Sequence, residues 1–434
     1  MNVESQDTAE SATVTQFSRY TRRMFACVVG LLICVGIINV WIDPYLRFGT
    51  PRTVGWNAVK PNAIRKVRIA KAYGVERGDY ETLFLGNSRV DIGLDPLSEA
   101  IPTRYRPAYN LGQPGSGSEL ALRYFEHALS THSPKTIVLA VDFLNFLRAP
   151  GSQSKEDNDG AVDSGTDSSV DDRLSSVNDR GEWNWKRTSQ RANDICAAAF
   201  SLSALQDSVM TILAQGNPNA ADISVQGFNS GAAFRTLIRN EGQAALFRQK
   251  NVEYAKKCAD RVAPPFDQSD ELAAVDAFLS LANSRTIQVI VYVHPYHADV
   301  LRIFDESGRW NDFENWKAEL SKICDRPGVE LWDFAVSNKY TTETPPAADD
   351  RKTIMQWYWE SGHYRSTLGD QILARMMAGE AASDEVRADW GVMITPTNIQ
   401  EHLDLQRTAL SSFLSPAGTS NRAPAQPKPA AVGS

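Results

Sequence analysis

Cysteine is scarce and scattered in this 434-residue chain: Cys27, Cys34, Cys196, Cys258 and Cys324 form no C-x-x-C pair. The first two lie in an apolar run, which leaves at most one disulfide among the other three and no cysteine-based metal site. Basic residues do not predominate either. Forty-five Lys and Arg stand against 52 Asp and Glu, a net charge of −7. Without a basic face or stripe, nucleic acid is excluded as the expected partner. Histidine occurs only six times. With 42% hydrophobic and 22% charged residues, the composition is that of a globular protein with one large core and appendages.

Long apolar runs are also few. One stretch, Met24 to Ile42, continues for nineteen residues without a charge, which matches the ~20 needed to cross a hydrocarbon core as a helix. Arg19, Arg22 and Arg23 precede it, and it ends in Val-Trp-Ile-Asp-Pro instead of a small-residue cleavage site. This predicts an uncleaved signal anchor, with Arg22-Arg23 reading as an ordinary basic flank and not a twin-arginine signal. The expected topology is a cytoplasmic tail over 1–23, a membrane span over 24–42, and a main domain on the periplasmic or extracellular side of the plasma (inner) membrane. Arg47, Arg52 and Lys60 beyond the run nearly balance the three arginines before it, and the orientation follows from the arginines being packed against the run and from long domains translocating largely regardless of charge.

Past the span, five short apolar runs predict strands: Glu81–Leu85, Arg106–Leu111, Thr136–Val141, Ile287–Val293 and Val329–Trp332. Helical patterns separate most of them, including one from about Glu119 to Ser130, as a mostly parallel sheet with crossover helices requires. The expected domain is split, over 43–146 and 268–414, by an insertion at 147–267. The insertion begins with an acidic loop at 151–178, expected to be disordered, in which Glu156 to Asp172 holds seven acidic residues and no basic one. A helical cap follows, with periodicity over Ala192–Leu213 and Gly231–Cys258. The Pro/Ala-rich tail, 415–434, is also expected to be disordered.

In an open parallel sheet, ligands bind beyond the carboxyl ends of the strands. The residues found there are Gly86-Asn87-Ser88-Arg89, then Asn110 to Ser116, Asp142 to Asn145, His294-Pro295-Tyr296-His297 and Asp333, with Glu360-Ser361-Gly362-His363-Tyr364 near the end of the fold. A serine hydroxyl needs a base to take its proton, and the base needs a carboxylate to orient it. Ser88, His363 and Glu360 are the candidates, with acid and imidazole close together on one short turn. The backbone N–H groups of Ser88 and Gly115 are candidate donors to an oxyanion. Arg89 either meets an anionic sugar or pairs with Asp91 or Asp142. His294 and His297 follow a strand as pocket wall or packing, no metal or other cofactor being expected. Trp357-Tyr358-Trp359 offers ring faces for a sugar or for the core.

Gly-Asn-Ser after the first strand, Asn-x-Gly-x-x-Gly after the second and Glu-x-x-His near the end resemble the SGNH/GDSL hydrolase superfamily over about 80–150 and 285–380. Within it, the membrane-anchored members linked to O-acylation of cell-surface polysaccharides are the most similar. The nucleophile elbow Gly-x-Ser-x-Gly of α/β-hydrolases is absent. The resemblance implies a three-layer α/β/α, flavodoxin-like domain, with Ser88 as nucleophile, Gly115 as oxyanion donor and His363 as base. It implies an acyl ester or polysaccharide substrate, with Asn110 and Tyr364 added to Arg89, His294 and His297 as substrate-facing residues. A multi-pass membrane acyl donor is the implied partner. Two departures stand out. Where the family has Gly-x-Asn-Asp this chain has Val141-Asp142-Phe143-Leu144-Asn145, so Asn145 or Asn87 must stand in, and a glutamate replaces the usual aspartate. These departures keep a second reading open, a non-catalytic glycan-binding or assembly protein on the same fold.

Overall fold

The computed structural model describes residues 4–150, 172–174, 183–377 and 390–414. It opens with a long helix, α1 (Glu4–Ile42), followed by α2 (Val67–Val75) and strand β1 (Thr82–Leu85). Next come α3 (Ser88–Gly93), β2 (Ala108–Asn110), α4 (Ser118–Leu129), β3 (Thr136–Val141) and α5 (Phe143–Phe146). Among the described residues, the insertion holds two helix pairs: α6 (Trp185–Phe200) with α7 (Leu202–Leu213), and α8 (Ala232–Glu241) with α9 (Gln243–Asp260). The sheet resumes after α10 (Asp270–Ser284) with β4 (Gln288–Val293), α11 (Ala298–Glu306), α12 (Trp310–Asp325) and β5 (Glu330–Asp333). A hairpin of β6 (Tyr358–Glu360) and β7 (His363–Tyr364) leads to α13 (Ser366–Met377), β8 (Val392–Ile394) and α14 (Ile399–Leu414).

All five strands expected from the sequence form, and they pair in parallel in the order β2-β1-β3-β4-β5. Buried on both faces, they read as near-continuous apolar runs such as Thr-Ile-Val-Leu-Ala-Val in β3. Leu83, Ile137, Leu139 and Val291 face a core shared with Phe125 of α4, Phe278 of α10 and Trp316 of α12. Phe84, Val138, Ile290 and Tyr292 face a second core shared with Val90 of α3 and Leu368 of α13. Helices therefore cover both faces of the sheet. Strand order reverses between β1 and β3, and the crevice above that switch is where the residues following both strands meet.

Three features depart from expectation. β8 adds an antiparallel edge beside β5, its three residues being too short a run to stand out as a strand. Of the acidic loop expected to be disordered, Asp172–Leu174 is ordered: Leu174 is buried in the core and Arg173 pairs with Asp194 at 2.9 Å. The rest of that loop and the tail at 415–434 lie outside the described residues. Finally, the two halves of the helical insertion do not form one cap: in the second half, α9 packs on β6 and α11. The first half packs along α1, with Asn39 donating to the carbonyl of Ala199 at 2.9 Å and Tyr45 to Asp207 at 2.6 Å. All five cysteines are free thiols.

Candidate active site

β1 ends at Leu85, and the chain must then turn sharply beneath α3. Gly86 allows this with φ +146°, since a Cβ there would lie 2.7 Å from Val90 and 2.9 Å from Ala140. Asn87 caps α3 by accepting the Arg89 N–H at 3.0 Å, and its amide donates to Asp142 at 2.7 Å across the switch point. Ser88 follows as the first residue of α3. From Thr82 to Leu94 every residue except Ser88 is buried.

The Ser88 hydroxyl lies 2.8 Å from Nε2 of His363. On the other side of that ring, Nδ1 is within hydrogen-bond reach of Glu360 Oε1. Acid and imidazole face each other across the β6–β7 hairpin, where Glu360 and His363 are paired residues joined by Ser361-Gly362. The second Glu360 oxygen accepts the Gly362 N–H at 2.8 Å. Burial pushes the Glu360 carboxyl up, but the adjacent His363, the hydrogen bond from it, Lys250 and the Gly362 N–H together hold it below the usual carboxylate range. An ionised carboxylate fixed in this way keeps the Nδ1 proton in place and leaves Nε2 to accept the proton of Ser88.

Arg89 locks the two segments together. It is buried, donates to the Gly362 carbonyl at 2.6 Å and to Tyr254 of α9 at 2.9 Å, and pairs with Asp142. Asp142 also accepts from Tyr296 at 2.5 Å and from the Leu144 N–H at 3.0 Å. Burial raises its carboxyl, yet Arg89, His294, the Tyr296 hydrogen bond and Lys257 together outweigh this and hold it well below the usual range. Of the alternatives open for Arg89, the structure contains the pair with Asp142. Asp91 is instead bound by Lys71 at 2.6 Å and Asn229 at 3.0 Å.

The expected substrate-facing residues are corrected by their surroundings. Asn110 is fully buried and uses all its hydrogen-bonding capacity internally, donating to the Val90 and Leu94 carbonyls and accepting from Lys71 and the Gly112 N–H. His297 caps α11 through Nδ1 and meets the Glu343 carbonyl through Nε2. Tyr364 is 1% exposed and hydrogen-bonds Tyr292 inside the core. Arg89 is engaged as described. None of the four offers a free polar group to a ligand. His294 differs: it is fully buried, yet neither ring nitrogen has a hydrogen-bond partner among the described residues. Desolvation and then Arg89 push it down to about 3, so it is neutral. Tyr358 and Trp359 are core residues, Trp359 stacking on Phe234 at 5.5 Å.

For the oxyanion, the 112–116 loop sits over α3. The Gly112 Cα packs so closely that a Cβ would lie 2.5 Å from the Asp91 backbone nitrogen. Ser116 is tied to the Gly86 carbonyl, and Gly115 is exposed with φ +73°. Among the described residues, the N–H groups of Ser88 and Gly115 have no internal acceptor. The Asn145 amide instead donates to the Ser116 carbonyl at 2.8 Å, so it braces the loop.

Sequence reasoning missed three neighbours. Lys71 is buried and joins Asp91, Asn110 and the Gly112 carbonyl. Phe234 from the insertion stands 6.0 Å from the His363 ring, and Tyr254 holds Arg89. Nothing in their local pattern marks them, because each reaches the site only through tertiary packing.

No protein-family model matches the chain, and no curated protein matches it.

Proposed function

We propose that the chain is a membrane-anchored serine O-acyltransferase or esterase of SGNH type, its main domain lying outside the plasma membrane. The observation that carries the reading is the hydroxyl of partly buried Ser88, 2.8 Å from His363, itself backed by buried Glu360. In this mechanism the Ser88 oxygen attacks an ester carbonyl while His363 takes its proton and passes it to the departing alcohol. The N–H groups of Ser88 and Gly115 receive the oxyanion. Water or a sugar hydroxyl then attacks the acyl-serine, with His363 acting again as base. The β2-β1-β3-β4-β5 order supports a flavodoxin-like domain. Acyl groups of a cell-surface polysaccharide, delivered by a multi-pass membrane donor, are the substrate that the sequence resemblance favours.

A second reading, a glycan-binding or assembly protein on this fold, draws on one observation: Asn145 braces a loop where a side-chain oxyanion donor is expected. Fluorophosphonate treatment of the detergent-solubilised chain separates the two. The enzyme reading expects an adduct on Ser88 that is lost in Ser88→Ala. An unmodified Ser88 in folded protein overturns that reading in favour of the second.

A further inference from the structure

From Phe17 onward, helix α1 is covered on one side near its C-terminal end. From Met24 to Cys34 it is exposed all round, whereas Val35, Gly36, Asn39 and Ile42 form a buried stripe beneath α6 and α7. The bare part spans roughly 16 Å at the helical rise, far short of the ~30 Å hydrocarbon core. Arg19, Arg22 and Arg23 prevent an extension toward the N-terminus. A bilayer crossed by α1 must therefore reach up to about Ile42, at the level where the Trp41 and Trp56 rings meet at a tilt, 5.4 Å apart, both about half exposed. Whatever covers Gly36 and Asn39 then lies inside the membrane.

What covers them is the corner between α6 and α7, which meet at 57°. The Phe200 ring packs on Gly36, about 9 Å below Ile42 along the helix. No charged residue occurs between Asp194 and Asp207, and the outward side chains Ile195, Phe200, Leu202, Val209 and Met210 are exposed, Leu202 at 77%. Breaking a helix in lipid strands its terminal carbonyls, which is tolerated only where they find partners. Here Asn39 donates to Ala199 O at 2.9 Å and Ser201 O at 3.4 Å, while its own oxygen accepts from Ser208 at 2.9 Å. This one polar residue of the apolar run thus satisfies the corner and is satisfied by it.

We propose that the α6–α7 corner is a wedge that dips into the lipid leaflet on the domain's side, its occupants being acyl chains around Phe200 and Leu202. The inference rests on α1 spanning the bilayer. It gives the domain a second membrane attachment and fixes its height and tilt on the surface, which a single flexible tether cannot do.

Depth measurement by spin label tests it on the full chain in phospholipid nanodiscs, with Cys27, Cys34 and Cys196 replaced by alanine. Labels are placed at Val28→Cys in the bare span, Leu202→Cys at the wedge, and Val54→Cys, a position 90% exposed. The wedge predicts that Leu202→Cys behaves like Val28→Cys, accessible to oxygen with loss of collisions with a water-soluble nickel chelate, and unlike Val54→Cys. If Val28→Cys is in lipid and Leu202→Cys in water, the wedge is overturned and the anchor stands. If Val28→Cys is also in water, the anchor fails and the wedge with it.

Discussion

Asp142 follows β3 and Asp333 ends β5, and each is buried, ionised and bound to a buried cation. Burial raises both carboxyls, and the paired cation together with neighbouring groups, His294 and Tyr296 at Asp142 and His402 at Asp333, overcomes it, so both are held well below the usual range. Their cations differ in what they touch. Arg89, beside Asp142, reaches the Gly362 carbonyl in the Glu360–His363 turn. Lys317, beside Asp333, joins Gln406 of α14, while His402 and Gln406 bind Asp333 directly. The first pair positions a candidate nucleophile and base; the second clasps the C-terminal helix to the sheet. A charged residue at a strand end is therefore no marker of a site by itself.

The largest expected effect lies at the centre of the Asp142 side. Ser88→Ala abolishes labelling and ester turnover, and Glu360→Gln lowers turnover by about ten-thousandfold, the typical result of disturbing the imidazole's tautomer. Chromogenic-ester kinetics on folded protein checks both, and wild-type turnover retained in Glu360→Gln would remove the carboxylate from the mechanism.

The next test breaks the two ion pairs in parallel. Arg89→Met and Lys317→Met each strand a buried carboxylate, and each is expected to cost about 3–5 kcal/mol in urea unfolding. Only Arg89→Met should also slow the fluorophosphonate reaction of the molecules that remain folded. Equal labelling rates in the two variants would erase the distinction between the pairs.

A smaller effect concerns His294, which lies beside Arg89, Asp142 and His363. Its folded value of about 3 lies below its ordinary 6.5, so the unfolded chain binds a proton in that interval and the folded chain does not. Its contribution is full above pH 6.5 and falls as pH drops toward 3, on the order of 1 kcal/mol per pH unit. His294→Phe should flatten that slope in urea midpoints measured between pH 6.5 and 4.5. An unchanged slope would mean that His294 already has a proton-accepting partner in solution.

Parts of the fold were legible because their signal is local. A strand buried on both faces needs a continuous apolar run, and the runs at Thr82–Leu85, Thr136–Val141 and Gln288–Val293 stand out for that reason. The spacing from Glu360 to His363 was likewise visible, although the residues face each other across a hairpin and not along a simple turn. The substrate-facing set was not legible. A residue after a strand can point upward into the crevice or back into the core, and Arg89, Asn110, His297 and Tyr364 all point inward to partners distant in sequence. The insertion misled for the same reason, since apolar periodicity shows that helices have something to cover but not what it is.

By itself, then, the sequence determined the apolar N-terminal helix, the five strands and the short list of residues at their carboxyl ends, since each follows from hydrophobic patterning within a few residues. Tertiary structure alone decided the strand order, the meeting of Ser88 with His363 across 275 positions, the roles of the two buried aspartates and the seating of α6–α7 on α1. Those outcomes depend on which buried polar groups find partners, and that is settled only when distant segments pack together.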